Sequence, residues 1–257
     1  PHENSLVVFM DGDIFLPASV LSNTIPFFIA DPELDALTTN NDAVVDGSLF
    51  AANWYALRYA QRHIVMSSLS MSDRLLVLTG RFSIYRIADA ISREFIEIIE
   101  NDSMTHWLHG KFSLLSGDDK SIWFHMLRLK RKMLYVPDVK VVGYEALPDS
   151  TSFLKSTSML MMRWYGNMLR TNTRAVMLGP STCGFFTWWC LVDQRLSMWT
   201  SLIGPITAIL FSIIFSPLYL YYYLAWVLLT RIFMSLLAGM VWGRYSSVWP
   251  FLLYYNQ

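Results

Sequence analysis

Two carboxylates one residue apart, Asp11 and Asp13, stand directly behind the apolar run Leu6-Val7-Val8-Phe9. Such a run of branched and aromatic residues reads as a short buried strand. A buried strand ending in Asp-Gly-Asp delivers hard oxygen ligands to the rim of a sheet, where open α/β sheets bind ligands. Carboxylates there suit Mg2+ or Mn2+ held against a diphosphate, because such ions take a few carboxylates and fill their shell with substrate oxygens. Gly12 lets the backbone approach the ligand closely. The same residues also fit an ordinary turn, since Asp-Gly is a common turn pair.

A second acidic site follows at Gly117-Asp118-Asp119-Lys120-Ser121, which opens a helix over Ile122–Lys130. Two adjacent carboxylates could serve as a base there. They also suit the positive end of a helix for purely structural reasons. Arg163-Trp164 sits on a Met-rich helix over Phe153–Thr171, with Arg170 and Arg174 further along. That is the pattern of an amphipathic helix lying at a membrane surface, where an Arg-Trp pair can be a plain interfacial anchor. His106 and His109 are three apart, a zinc-compatible spacing on a helix, but no further His or Cys follows at a useful distance.

The elements that must position these groups follow from periodicity and turn chemistry. Ile14–Pro17 begins a short helix or loop, and Asn23–Phe28 reads as extended. Leu37–Val45 is strand-like with a polar break at Asn40–Asp42. Ser48 is a candidate N-cap for a helix over Leu49–Ser67, whose Phe50, Trp54, Leu57 and His63-Ile64 form a core-facing stripe. Leu75–Arg86 reads as a strand, a turn at Thr79-Gly80-Arg81, and a second extended or helical piece. Ala88–Glu100 is an amphipathic helix. Tyr135–Glu145 is a strand in which Pro137 marks an edge or a bulge.

Composition divides the chain. It is 54% hydrophobic with zero formal net charge, and from Cys183 onward the charged residues are Asp193, Arg195, Arg231 and Arg244. A catalytic part over residues 1–152 is therefore followed by interfacial helices over 153–195 and membrane helices over 196–257. Leu196–Ser216 and Pro217–Met240 are each long enough to span, and Ser247–Tyr255 starts a third span. Arg195 and Arg244 place the flanks of the first pair in the cytoplasm. Upstream strands and further membrane helices are expected outside this stretch of chain. The balanced charge, with only a short basic cluster at Arg128–Lys132, excludes a nucleic-acid partner. Cys183 and Cys190 make no disulfide framework and read as small apolar residues near the membrane.

Asp11-Gly12-Asp13, Thr79-Gly80-Arg81, Gly117-Asp118-Asp119 and Arg163-Trp164, in that order ahead of membrane helices, resemble the processive family 2 glycosyltransferases. These are the cellulose, chitin and hyaluronan synthases, with their D-x-D, acidic and Q-x-x-R-W motifs. Gly117–Ser121, Arg163–Asn167 and Asp193–Leu202 resemble more specifically the catalytic subunit of the alginate (mannuronan) synthase branch. Leu160 stands where most of these synthases carry the Gln, as it does in that branch.

The resemblance implies an α/β GT-A-type domain, present in part, and an inverting transfer from a nucleotide sugar, GDP-mannuronate in the alginate branch, to a growing polysaccharide. It assigns Asp13 and Asp11 to a divalent ion, Mg2+ or Mn2+, on the donor diphosphate. Asp119 becomes the general base with Asp118 assisting, Arg163 holds the pyrophosphate, and Trp164 stacks on the acceptor sugar. It also implies a multi-pass protein of the bacterial inner membrane with a cytoplasmic catalytic domain, served by cyclic-di-GMP-sensing and periplasmic export subunits. Arg231 fits a polymer path through the spans or snorkels to the surface. Another β-polysaccharide synthase, or a non-catalytic membrane subunit, are the competing readings. A uronate substrate needs a cation for its C6 carboxylate. Arg81, beside Gly80 where cellulose-type enzymes line the acceptor site with small residues, is the first candidate, and Lys120 is the second. Alternatively Arg81 pairs with a structural carboxylate such as Asp118.

Overall fold

The computed structural model describes residues 5–46, 49–90, 92–101, 103–106, 108–113, 117–149 and 152–242. Its elements run in the order β1 (Leu6–Phe9), β2 (Ile14–Phe15), α1 (Val20–Ala30), β3 (Leu34–Asp46), α2 (Leu49–Ser70), β4 (Ser83–Arg86), α3 (Ile87–Ala90) and α4 (Arg93–Glu100). They continue with β5 (Ser103–His106), β6 (Gly110–Ser113), α5 (Asp118–Arg128), β7 (Lys132–Ala146), α6 (Phe153–Met177), α7 (Pro180–Cys183), α8 (Phe185–Ile214) and α9 (Leu218–Trp242).

The main sheet has the order β1-β4-β3-β7-β2. Its centre is the long parallel pair β3 and β7, and every other pairing in it is antiparallel. Alternate residues serve the two faces. Leu37, Ile84 and Val136 pack with Val20 and Phe28 of α1. Ala36, Tyr85 and Tyr135 pack on the other side with Met66 and Leu69 of α2 and Trp123 and Leu127 of α5. A period of two on a sheet covered on both faces is the arrangement expected of a layered α/β domain.

Several expectations change. Asn23–Phe28 is helical, inside α1, although Pro26 lies in it. Val20, Thr24 and Phe28 fall four apart on its buried stripe, and Thr24 Oγ1 donates to Val20 O (2.8 Å). Burial of that stripe outweighs the bond that Pro26 removes. Leu75–Leu78 is not a strand. Leu75 and Leu78 are buried there, and the Leu75 carbonyl accepts from Trp123 Nε1 (2.6 Å) instead of from a neighbouring strand. The segment over Ala88–Glu100 divides into α3 and α4, because Ser92 adopts an extended conformation and its hydroxyl caps α4 by accepting from Phe95 N (3.1 Å). His106 and His109 belong to the β5–β6 hairpin, not to a helix.

β1 is also less buried than its sequence implies. It lies at the end of the strand order and pairs only with β4 among the described residues, so Val8 is 41% exposed. Pro137 marks a bulge and not an edge. The β3–β7 register passes from Thr39↔Val136 directly to Asn40↔Lys140, and β7 lies between β3 and β2. The polar residues Asn40–Asp42 do not break β3, which runs on through them to Asp46. The basic cluster is bound into the fold, with Lys132 pairing to Asp31 (2.9 Å) and Asp73 (3.4 Å) and Arg131 to Asp35 (3.7 Å).

α8 is one helix that contains both Phe185–Trp189 and the apolar stretch after Arg195. Two helical segments, Phe185–Ile214 and Leu218–Leu237, are long and apolar enough to cross a membrane, and their apolar side chains face outward. Ser48, Arg244 and the stretch Ser247–Tyr255 lie outside the described residues.

Candidate active site

A cleft of about 580 Å3 opens at the carboxyl end of β1. Asp11 and Asp13 line it, together with Thr79, Gly80 and Arg81, Asp119 and Lys120 of α5, and Arg163 and Trp164 of α6. Residues separated by more than 150 positions in the chain are thus brought to one place. The side chain of Asp118 lies outside the described residues, while its backbone forms the first turn of α5.

The Asp-Gly-Asp segment is pinned on both sides. Asp11 N donates to Gly80 O (2.9 Å), and Tyr144 N donates to Asp13 O (3.2 Å). A Cβ on Gly80 would lie 3.2 Å from Asp11 Oδ1, so the glycine leaves room for the Asp11 carboxylate. The turn that carries Gly80 is held by buried hydroxyls. Thr79 Oγ1 meets Thr38 Oγ1 (3.1 Å), and Ser83 Oγ donates to Thr79 O (2.8 Å). Gly117, at φ +104°, turns the chain into α5, and a Cβ there would approach Asn167 Nδ2 (3.4 Å) and Asp119 Oδ1 (3.5 Å). A left-handed glycine therefore sets Asp119 on the first turn of α5, beside α6.

Sequence reasoning did not single out the wall formed by α2. Tyr55, Arg58, Tyr59 and Arg62 all line the cleft. Their 0, 3, 4, 7 spacing is a helical face in its own right, and that was the available signal. Tyr55 is pushed up to about 12 by burial. Arg58 lies over the Trp54, Trp164 and Tyr165 rings at 5.5, 5.2 and 5.9 Å. Trp164 stacks on Trp54 with centroids 6.2 Å apart and planes 13° from parallel. One side of the Trp164 ring is thereby supported by the protein. Leu160 is buried in this aromatic cluster with Trp54 and Tyr55.

Arg81 forms an ion pair with Glu145 of β7, and its guanidinium lies 4.9 Å from the centre of the Tyr59 ring. Tyr59 OH also donates to Glu145 Oε1 (3.3 Å). Arg81 therefore has a structural carboxylate partner, Glu145. Lys120 is held low, at about 8, by burial, against the pull of the neighbouring Asp119 carboxylate. Burial likewise brings Arg62 down to about 10, with the Arg81 charge adding to the effect.

Among the described residues no three or more His, Cys, Asp or Glu side chains gather closely enough to form a metal cage. Asp11 and Asp13 share the cleft, however, and two carboxylates suffice for an ion that takes its remaining ligands from a diphosphate and water. The donor set fits Mg2+ or Mn2+ held in that way.

Residues 2–167 match the model of the glycosyltransferase like family 2. The whole chain is 42% identical to "Glycosyltransferase alg8" of Pseudomonas syringae pv. tomato and 42% identical to the protein of the same name from Azotobacter vinelandii. Over 199 residues, 72% of the chain, it is 26% identical to "Chitin synthase 4" of Pyricularia oryzae, covering 16% of that protein. The chain spans about half the length, 52%, of the two curated bacterial relatives. With the family match covering the sheet, the acidic segments and the start of α6, this chain belongs to the glycosyltransferase family 2.

Proposed function

We propose that this chain is the catalytic portion of a bacterial inner-membrane synthase that polymerises GDP-mannuronate into poly-β-1,4-mannuronate, the precursor of alginate. The observation that supports this reading best is the meeting of Asp11, Asp13, Asp119, Arg163 and Trp164 in one cleft beside two apolar helices. The identity to two proteins named alg8 glycosyltransferases favours the alginate branch over the chitin branch.

The reaction inverts the donor sugar. The 4-hydroxyl of the polymer end attacks the anomeric carbon, the bond from that carbon to the diphosphate breaks, and Asp119 takes the hydroxyl proton. Asp11 and Asp13 would hold a divalent ion, and such an ion would offset negative charge on the departing diphosphate. Arg163 contributes a guanidinium to the same oxygens. Trp164, braced by Trp54 and Arg58, offers its cleft side to the acceptor sugar. Much of the rate gain in such a transfer comes from positioning, and a preassembled cleft supplies it. α8 and α9 belong to the route by which the polymer leaves. A cyclic-di-GMP-sensing subunit and a periplasmic export subunit complete the system.

The test uses membranes that contain the full-length protein, incubated in parallel with GDP-mannuronate, UDP-glucose and UDP-N-acetylglucosamine. Polymer from GDP-mannuronate alone, degraded by an alginate lyase, is the expected result. Polymer from a UDP-sugar would move the protein to the cellulose or chitin type, and no polymer from any donor would favour a non-catalytic subunit.

A further inference from the structure

Asn167 lies one turn beyond Trp164 on α6 and lines the same cleft as Asp119. Residues three apart on a helix are surface neighbours, displaced by about 4.5 Å along its axis, so a sugar stacked on Trp164 extends toward Asn167. The Asn167 side chain is oriented by its own helix. Arg170 Nη2 donates to Asn167 Oδ1. The Arg170 guanidinium lies back along α6 over Gly166, where a Cβ would be in contact with Nη1 (3.6 Å). With the amide oxygen taken by Arg170, the Nδ2 end turns toward α5.

Gly117 fixes where that amide stands relative to the proposed base. A Cβ built on Gly117 would be 3.4 Å from Asn167 Nδ2 and 3.5 Å from Asp119 Oδ1. Both atoms thus border one small space that Gly117, having no side chain, does not fill. Lys120 meets the same point with its Cγ (3.6 Å), an aliphatic stem and not its ammonium. An oxygen near that point comes close to hydrogen-bond range of both polar atoms, since such bonds run to about 3.2 Å.

An attacking hydroxyl can use both. A carboxylate takes its proton, and negative charge builds on its oxygen as the proton leaves. A fixed N–H aimed at that oxygen stabilises the transition state more than the ground state. A neutral amide does this without drawing the carboxylate of the base into an ion pair.

We propose that Asn167 contacts the attacking hydroxyl directly. Its Nδ2 donates to the hydroxyl oxygen of the acceptor sugar held on Trp164, while Asp119 accepts the hydroxyl proton. That oxygen bonds to the anomeric carbon, and the bond from that carbon to the diphosphate breaks with its electron pair leaving on the diphosphate. Asn167 keeps its protons throughout. It is thereby a catalytic residue, and Arg170, which acts through it, is a positioning residue. The inference rests on Asp119 as the base and Trp164 as the acceptor platform, and it does not depend on which sugar is transferred.

Two substitutions test the proposal in membranes that contain the full-length protein, supplied with GDP-mannuronate. Asn167→Asp keeps an oxygen for Arg170 but has no donor. Asn167→Leu is similar in size and removes both groups without adding charge. Each should lower kcat by about 10- to 100-fold, somewhat less than the loss of a donor to a full oxyanion, with donor KM and GDP affinity in Mg2+ unchanged. A normal kcat in Asn167→Asp with a low one in Asn167→Leu would mean that Asn167 only anchors Arg170. The reverse would mean that added charge beside Asp119 is the whole effect, and normal values in both would remove Asn167 from the reaction. A raised KM with kcat unchanged would make Asn167 a ground-state contact. Each of these four results overturns the proposal. Should Asn167→Leu lose GDP binding, Asn167→Ala takes its place. Asp119→Asn in the same assay keeps the two levels apart: full turnover there defeats the base assignment and this inference with it, whereas a dead Asp119→Asn beside active Asn167 variants defeats this inference alone. A parent protein inactive with GDP-mannuronate is assayed with UDP-glucose and UDP-N-acetylglucosamine, and inactivity with all three ends the catalytic reading and the Asn167 role together.

Discussion

The sheet-bearing part and the α8–α9 pair of this chain obey opposite burial rules. In the sheet, Leu37 is 0% exposed and the charged groups gather around a cleft, whereas in α8 Ile213 is 77% exposed. Both parts use the same aliphatic residue types, and in the sequence it is the scarcity of charge from Cys183 onward that separates them. The difference lies in what surrounds each. The sheet excludes water by packing helices on both of its faces, while α8 and α9 present an apolar exterior that suits a lipid environment. Charge follows the same division. Cations and carboxylates gather in the cleft, where Arg81 pairs with Glu145, while the long helices carry few charges at all.

Substitutions at both ends of this contrast can break or sharpen it. The largest effect is expected at the base. Asp119→Asn should lower polymer synthesis by about 10²–10⁴-fold in membranes while donor binding, measured by titration with GDP, stays near normal. Near-normal turnover would remove Asp119 from the base role. Asp13→Ala comes next: the strengthening of GDP binding by Mg2+ or Mn2+ should disappear, and an unchanged metal dependence would place the ligands elsewhere.

A direct comparison of the two regions uses matched truncations. Leu37→Ala should destabilise the protein by about 2–5 kcal/mol through transfer and cavity terms. Ile213→Ala, assayed in lipid or detergent, should change stability by no more than about 0.5 kcal/mol. Thermal unfolding of both variants is the measurement, and equal losses would mean that Ile213 packs against protein. Arg81→Ala leaves Glu145 without its guanidinium in a site where both side chains are 16% exposed, and should cost about 1–3 kcal/mol. Transfer should then fall by a similar factor with uronate and neutral donors, and a selective loss with the uronate would return the carboxylate contact to Arg81.

The smallest effect concerns pH. Lys120 lies at about 8 in the folded protein, against an ordinary value of 10.5. Between those values the unfolded chain binds more protons than the folded one, so the Lys120 contribution to stability rises with pH. The cost of burying the charged form is fully present below about pH 8. Stability measured from pH 8 to pH 10 should therefore gain an upward component that Lys120→Met removes.

Local pattern was enough for the features that depend on near neighbours. Asp11-Gly12-Asp13 behind a strand, the helix that Gly117 opens, Arg163-Trp164 on a long helix and the two apolar helices all appear where residue type and period place them. Each is written within a single segment, where short-range sterics and the burial of one face decide the outcome. The misreadings share a different origin. Asn23–Phe28 looked extended because Pro26 and Thr24 weigh against a helix, and only contact of Val20 and Phe28 with the sheet reverses that preference. Leu75–Leu78 has the composition of a strand, yet Trp123, 48 residues away, takes the carbonyl that a strand partner would use.

The same limit governed the cleft. Arg81 and Glu145 are 64 positions apart, and nothing in either neighbourhood says that they meet. Asp118 looked as suitable a partner for Arg81 as any other carboxylate. Tyr55, Arg58, Tyr59 and Arg62 form a helical face, but a face lining a cleft and a face in solvent have the same period. Residue type and spacing decide which chemical groups are available and how each segment folds. Which charge is neutralised by the protein and which is left for a ligand depends on distances across the sheet, because electrostatic and hydrogen-bonding energies are set by separation in space and by burial.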